Sequence, residues 1–343
     1  MSKKNLLLVL EIVLLVAMSA SLGGCGGGHA SSQATPRATP SHRLDTGPPG
    51  LPLYCPLYIT HDQQGNIYVG DNYPPGKATP HARIVKLSPT GRELAEWHVF
   101  TAFHNPTLGS DGPFGLAVDA QGNIYVADGG DNTIKKLSPT GHLLATWGKT
   151  GSAPGELDWP QGVALDPQGN VYVADLNNSR IQKFSSTGTL LAVFGNTGGS
   201  IEQLRNPVGI AVDSLGNMYV SDIRNHRFVK FSPQGTFLTA WSGAGSKSFS
   251  SAKDLAVDSA GNVYIGDGKN YRLVKLSPTG KVLAIWERPM EFMNGVTVDP
   301  QGNVYVGWVV PSPNGGPRGG IRKLSPSGAL LYSWPATCPP VGP

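Results

Sequence analysis

The sequence predicts an all-β fold built from six copies of one four-stranded antiparallel unit. Three observations carry this. The pattern Asp-x-x-Gly-Asn-apolar-Tyr begins at Asp62, Asp119, Asp166, Asp213, Asp258 and Asp299, with Gly-to-Gly steps of 57, 47, 47, 45 and 41 residues. Between these turns lie short apolar runs of strand length, bounded by turn residues. The 45 Gly and 29 Pro of the 343 residues fall at those turns, so they punctuate strands and do not mark disorder. One four-stranded meander cannot bury both its faces, so such copies must pack on one another. A chain of this length would ordinarily divide into domains. Radial repeats escape that rule because the core is shared out among the interfaces between copies.

The chain opens with a processing signal. Lys3 and Lys4 precede the apolar run 6–18, which is short for a membrane span and carries Glu11. Leu22-Gly23-Gly24-Cys25 resembles the bacterial lipobox, in which the Cys is acylated, so residues 1–24 are expected to be a lipoprotein signal peptide and Cys25 the lipidated residue. Residues 25–50 are rich in Pro, Ser, Thr and Gly with almost no apolar content, which suits a disordered tether holding the folded part off a membrane. Residues 51–343 hold the repeats.

The clearest copy is 112–148. Its expected strands are 116–118, 124–127, 134–137 and 143–147, joined by Asp119–Asn123, a looser connection after Asp128, and Ser138-Pro139-Thr140-Gly141. Gly122 and Gly141 suit left-handed turn positions and Pro139 a turn corner. Repeat one spans about 55–100 and has a long second-to-third connection, 71–83. Repeats three (160–195) and four (207–242) are regular, and repeat five (252–287) replaces the usual Pro-x-Gly opening with Ala252-Lys253-Asp254. Repeat six (293–334) again has a long middle connection, expected from Trp308 to Ile321.

Residues 160–184 carry Pro-x-Gly-apolar-Ala-apolar-Asp-x-x-Gly-Asn-x-Tyr-Val-Ala-Asp-x-x-Asn-x-Arg-Ile-x-x-Phe, which resembles the NHL repeat. The resemblance covers about 55–335 and implies a six-bladed β-propeller of four-stranded antiparallel blades, one blade per sequence repeat. Fold and function are separable in such scaffolds, so activity has to be argued from sites.

A residue present in every blade is expected to serve the blade. The tyrosines 68, 125, 172, 219, 264 and 305 and the aromatics Trp97, Trp147, Phe194, Trp241, Trp286 and Trp334 are read as packing between blades. The turn aspartates are read as hairpin caps. Asp71, Asp175, Asp222 and Asp267 track with Arg83, Arg180, Arg227 and Arg272, as structural ion pairs would, and repeat six loses both, having Trp308 and Gly320. Repeat two keeps Asp128 but has Thr133. His61 replaces an aliphatic residue and is expected to be buried and hydrogen-bonded.

The net charge is +4, and the recurring lysines 86, 136, 183, 230, 275 and 323 would be spread around a ring. No concentrated basic face results, which argues against nucleic-acid binding. If no strand is shared between the first and last blades, the ring lacks a covalent closure. A Cys55–Cys338 disulfide would supply it in an oxidising compartment.

Removing the repetitive residues leaves candidates on the face that bears the varying loops: Tyr73, Lys77, His81, His104, Trp159, Arg205, His226, Lys253, Asn294, Trp308 and Arg318, with His98, Asp111 and Arg288 beside them. The residues just before each inner strand's Gly slot, including Gln161, Lys253 and Asn294, should face the channel mouth. Related six-bladed enzymes, the lactonase- and lyase-like propellers, use metal- or His-centred sites there, whereas here Gln161 and Asn294 fit and no acid joins them. The histidines lack metal-ligand spacing and no Gly-x-Ser-x-Gly is present. The expectation is a lipid-anchored monomer in the bacterial cell envelope, at the outer membrane if there is one, binding a protein, peptide or glycan without chemistry of its own. No catalytic residue, metal or cofactor is assigned. A propeller enzyme is the alternative.

Overall fold

Two glycine turns set the register of every sheet in the computed structural model, which describes residues 53, 56–71, 82–98, 113–195, 203–287, 292–310 and 318–337. At the first turn the Gly65 N–H donates to the Asp62 carbonyl at 2.9 Å and the Asp62 N–H to the Asn66 carbonyl at 3.0 Å. Gly65 sits at φ 78°, where a side chain is strained. The Asp62 carboxylate accepts the backbone N–H groups of Gln64 and Asn66 and the Asn66 amide at 2.8–3.0 Å. The same bonds recur at the other five aspartates. Their expected capping role is therefore observed.

These turns fold each repeat into its own four-stranded antiparallel sheet with strands in sequence order. The blades span 56–97, 113–147, 160–194, 207–241, 252–287 and 292–337. Their first strands lie side by side around a closed ring, the last meeting the first, so the fold is an all-β six-bladed propeller with one repeat per blade. The second strand of each of blades one to five, such as Ile67–Asp71 or Val171–Asp175, is buried along its whole length. Apolar side chains from facing sheets fill the wedges between blades. Ile84 of blade one, for example, packs with Leu116, Ile124 and Val126 of blade two.

The recurring aromatics and lysines form one device, repeated six times. Each lysine ammonium lies 4.8–5.0 Å from the centre of its blade's tyrosine ring. The tyrosine packs on the outer-strand aromatic at 6.2–6.4 Å, nearly parallel in every blade but the second, where Trp147 is tilted by 69°. That aromatic then lies against the turn glycine of the following blade. A Cβ on Gly141 would come within 1.8 Å of Trp97, and one on Gly280 within 1.7 Å of Trp241. The series closes on itself, because Trp334 of blade six lies on Gly91 of blade one. The six to one seam is also filled by Leu53, Ile67, Val85, Tyr305 and Ile321. Cys25, Cys55 and Cys338, with residues 1–50, lie outside the described residues.

Two elements depart from expectation. The strands of blade six run on into Val304–Val310 and Arg318–Leu324, pairing Val310 with Arg318, so its middle connection is only 311–317. Trp308 and the Arg318 backbone thus belong to strands and not to a loop. A small hairpin, Gly243–Ala244 with Lys247–Ser248, occupies the linker between blades four and five. Its strands are too short to show a period.

Candidate functional site: the loop face and the central channel

The aspartate at the end of each second strand organises the loop face. In blade three, Asp175 accepts from Arg180 Nε at 2.7 Å, from the Asn178 amide at 2.9 and 3.1 Å, and from the Asp158 N–H of the incoming linker at 2.8 Å. Asp222 and Asp267 repeat this with Arg227, Asn225 and Arg205 N–H, and with Arg272, Asn270 and Ser250 N–H. Asp71 pairs with Arg83 at 3.0 Å. The expected ion pairs are therefore present, and in blades three, four and five the aspartate also clamps the incoming linker to the second-to-third connection of its own blade.

The two irregular blades keep the brace in altered form. In blade two Lys135 pairs with Asp128 and, at 3.0 Å, with Asp131, so Asp128 is not left alone. In blade six the Arg322 guanidinium stacks 4.5 Å from the Trp308 ring centre. In both, the cation stands two residues further along the third strand than the usual arginine, on the same side of the strand.

Each described second-to-third loop of blades two to five ends on a left-handed residue: Asn132, Ser179, His226 and Tyr271 take φ 51–56° just before the third strand, and Trp159, Asn206 and Ser251 take φ 53–59° just before the first. Bulky residues are uncommon there. His226 is exposed, and Tyr271 is 51% exposed. Arg205 is exposed and held by its backbone, its carbonyl accepting the Arg224 N–H at 3.2 Å. Trp159 instead turns inward, its ring 5.5 Å from Phe114, which meets Tyr58 edge-on at 5.9 Å. His98 is exposed beside Glu96 at 3.4 Å. Tyr73, Lys77, His81, His104, Asp111, Arg288 and the Arg318 side chain lie outside the described residues.

The channel breaks the repeat most sharply. In blades two, three and four the slot glycines 115, 162 and 209 admit the next inner strand, and a Cβ there would meet the carbonyls of Gln161, Val208 and Lys253 at 2.3, 2.5 and 2.6 Å. Blades one and five fill this slot with Tyr58 and Asp254. Both line the central cavity, of about 300 Å³, whose wall runs from the slot to the Asp-x-x-Gly-Asn turns through residues such as Val163, Ile210 and Leu255. Tyr58 donates to Gln161 Oε1 at 2.7 Å, from blade one to blade three. Burial, with the charge of Asp254, pushes the Tyr58 phenol well up, so it stays protonated. Asp254 Oδ2 accepts the Val296 N–H at 2.9 Å, and burial pushes its carboxyl up to about 7.

Lys253 and Asn294 flank this level, both half-buried. Burial, and then the like charge of Lys269, lower the Lys253 pKa. At the turn end His61 is half-buried with Nδ1 2.8 Å from Thr297 Oγ1, and burial lowers its pKa. Its expected hydrogen-bonded role is observed. The expectation that no acid joins Gln161 and Asn294 at this level needs correction: Asp254 does, one residue further along the strand. Reading only the residue before the slot missed it. The signal was the missing glycine itself, in Leu57-Tyr58 and Lys253-Asp254. Among the described residues no three His, Cys, Asp or Glu side chains gather as a metal ion needs.

Residues 157–184 and 204–231 match the NHL repeat family. The chain is similar in fold to a streptogramin B lyase (16% identity, 86% of each chain covered, TM-score 0.56). It is also similar to virginiamycin B lyase from Staphylococcus aureus (13% identity, 85% of each chain, TM-score 0.53). A chain of the nidogen/laminin complex matches at 18% identity, over 81% of this chain and 92% of that one, with a TM-score of 0.54. No curated protein matches the chain.

Proposed function

We propose that this NHL-repeat propeller is a non-catalytic binding module that takes a protein, peptide or glycan on its loop face. The observation that carries the reading is the clamp of blades three to five. It fixes linker and loop together, so exposed His226, Tyr271 and Arg205 stand on a preorganised surface. Side chains ordered before contact lose less entropy on binding. The Leu22-Gly23-Gly24-Cys25 motif supports anchoring by lipid on Cys25, with 26–50 as tether, and a place in the bacterial cell envelope. The Cys55–Cys338 disulfide is part of this proposal.

The test is capture of envelope components on the full chain, repeated with His226→Ala/Tyr271→Ala and with Arg205→Ala. A specific partner should be lost at least tenfold in the variants. Equal capture by all three proteins would refute the loop face. A second reading, a lyase- or lactonase-like enzyme, is favoured by Asp254, whose carboxyl is held near the pH at which a general base works. Turnover of a streptogramin or lactone that disappears in Asp254→Asn would replace the first reading.

A further inference from the structure

The loop face is electrically lopsided. In blades two and three its described segments, 129–132, 148–159 and 176–179, carry Asp131, Glu156 and Asp158 against Lys149 alone. In blades four and five the described segments, 203–206, 223–226, 242–251 and 268–271, carry Arg205, Arg224, Lys247 and Lys269 and no aspartate or glutamate. Of these, Lys247 is taken up by Glu287 at 3.7 Å.

The positive sector reaches the channel mouth through Lys253. Its counterparts in blades two and three, Phe114 and Gln161, both meet Tyr58 of blade one, so this row of residues rings the mouth. Lys269 stands on the same rim. Its N–H donates to the Ser250 carbonyl at 3.0 Å, and a Cβ on neighbouring Gly268 would lie 2.9 Å from the Ser251 carbonyl and 3.7 Å from that of Met293, in blade six. Lys269 is exposed and Lys253 half-buried.

Lys253 differs from the other buried and half-buried cations of the blade strands. Lysines 86, 183, 230, 275 and 323 lie within 3.9 Å of a turn aspartate, and Lys136 lies over Tyr125. Arg83, Lys135, Arg180, Arg227 and Arg272 hold the second-strand aspartates, and Arg322 stacks on Trp308. Lys253 has no carboxylate or ring against its ammonium among the described residues, and the charge that acts on it is that of Lys269. Asp254, next along the strand, turns instead to the Val296 N–H. A half-buried ammonium facing a like charge is unfavourable until an anion joins it.

From this asymmetry we infer that the loop-face partner is an acidic peptide, one of whose side-chain carboxylates docks at the channel mouth between Lys253 and Lys269. The inference rests on the reading of the loop face as a binding surface and names the chemistry of its partner. Complementary charge of this kind steers and orients a ligand. A Glu or Asp side chain carries its carboxylate on a slim, flexible stem that can pass exposed Lys269 to reach half-buried Lys253. A uronate holds its carboxylate against a sugar ring, and a nucleic-acid phosphate is flanked by sugars on both sides. Nucleic acid also wants open ring faces for its bases, whereas Phe114 and Trp159 are 6% and 9% exposed.

The test is calorimetric titration of the full chain at pH 6 and low salt, where Glu side chains are ionised, with end-capped tetraglutamate and tetraglutamine. Tetraglutamate should bind at least tenfold tighter. Lys269→Gln and Lys253→Gln should each weaken it severalfold, their combination should erase the margin over tetraglutamine, and Lys281→Gln, on the turn face, should change nothing. Should Lys253→Gln fail to fold, exposed Lys269→Gln decides. Equal binding of the two peptides, tetraglutamate binding unchanged in Lys269→Gln or equally weakened in Lys281→Gln, or tighter binding of tetragalacturonate or tetrauridylate would each overturn the inference. Binding of neither peptide would overturn it too, while capture with the His226, Tyr271 and Arg205 variants would still decide the loop face separately.

Discussion

Replacing Arg272 by Met should unfold this propeller more readily than any surface change. Arg272 is 1% exposed and its partner Asp267 0%. Its Nε donates to Asp267 at 2.7 Å, and its Nη atoms to the carbonyls of Ala244 at 2.9 Å and Lys247 at 3.1 Å, which hold the linker hairpin. Methionine fills much of the volume but leaves a buried carboxylate without its cation and two carbonyls without donors. Breaking one side of a buried pair costs about 3–5 kcal/mol, and the orphaned carbonyls place this site toward the upper end. With a urea slope of about 3 kcal/mol/M for a chain of this size, the midpoint should fall by about 1.3–1.7 M. Asp267→Leu/Arg272→Met removes both charges, and such apolar exchanges are often near neutral. Asp267 also accepts the Ser250 N–H, so the double variant should keep a residual loss of about 1–2 kcal/mol. The assay is urea unfolding followed by far-UV circular dichroism and tryptophan fluorescence. A fall below about 0.3 M for Arg272→Met at unchanged slope, or a double variant as unstable as the sum of the singles, would refute the reasoning.

Three further predictions rest on single sites. Lys135→Val should cost about 3 kcal/mol by stranding Asp128, and adding Thr133→Arg should recover most of it, because this pair recreates the Arg–Val spacing of blades one, four and five; urea midpoints of the three variants decide. Gly169→Ala places a side chain at φ 79° with open space around it and should cost about 1–2 kcal/mol, whereas Gly141→Ala at φ 84° also strikes Trp97 and should cost at least about 1 kcal/mol more, so equal melting shifts would dismiss the latch. The Asp254 carboxyl is raised from 3.8 to about 7, so the folded state binds its proton more tightly than the unfolded chain. That contribution is whole below pH 4 and is lost as pH rises through 7, to at most about 4 kcal/mol. The stability of Asp254→Asn relative to wild type should therefore increase between pH 5 and pH 8, and an unchanged difference would show that Asp254 does not titrate in this range.

Much of the blade was legible in the sequence because it is local. Asp62 caps a turn closed by Gly65 three residues on, and Asp175 meets Arg180 five residues on, so periodicity alone exposes both. Repetition also sorted residues correctly: the tyrosines and outer aromatics serve packing, and the turn aspartates cap their hairpins. Legibility failed where a partner changed its place. Lys135 and Arg322 replace the usual arginine two residues later, which a position-by-position reading records as loss. It failed again in blade six, where Trp308 and Arg318 continue strands because the sheet offers them pairing partners that no local pattern announces.

Six blades, their turns and the set of repeating residues can be read from the chain order alone. What the exceptions do emerges only in the closed ring. Tyr58 reaches Gln161 across 103 residues, and Trp334 closes on Gly91 through a seam that joins the two ends of the ring. The reason is geometric. Strand order within a blade follows from short-range turns, whereas the channel is made where six distant inner strands converge, so a tyrosine and an aspartate that merely interrupt two repeats come to line one cavity only when the ring closes.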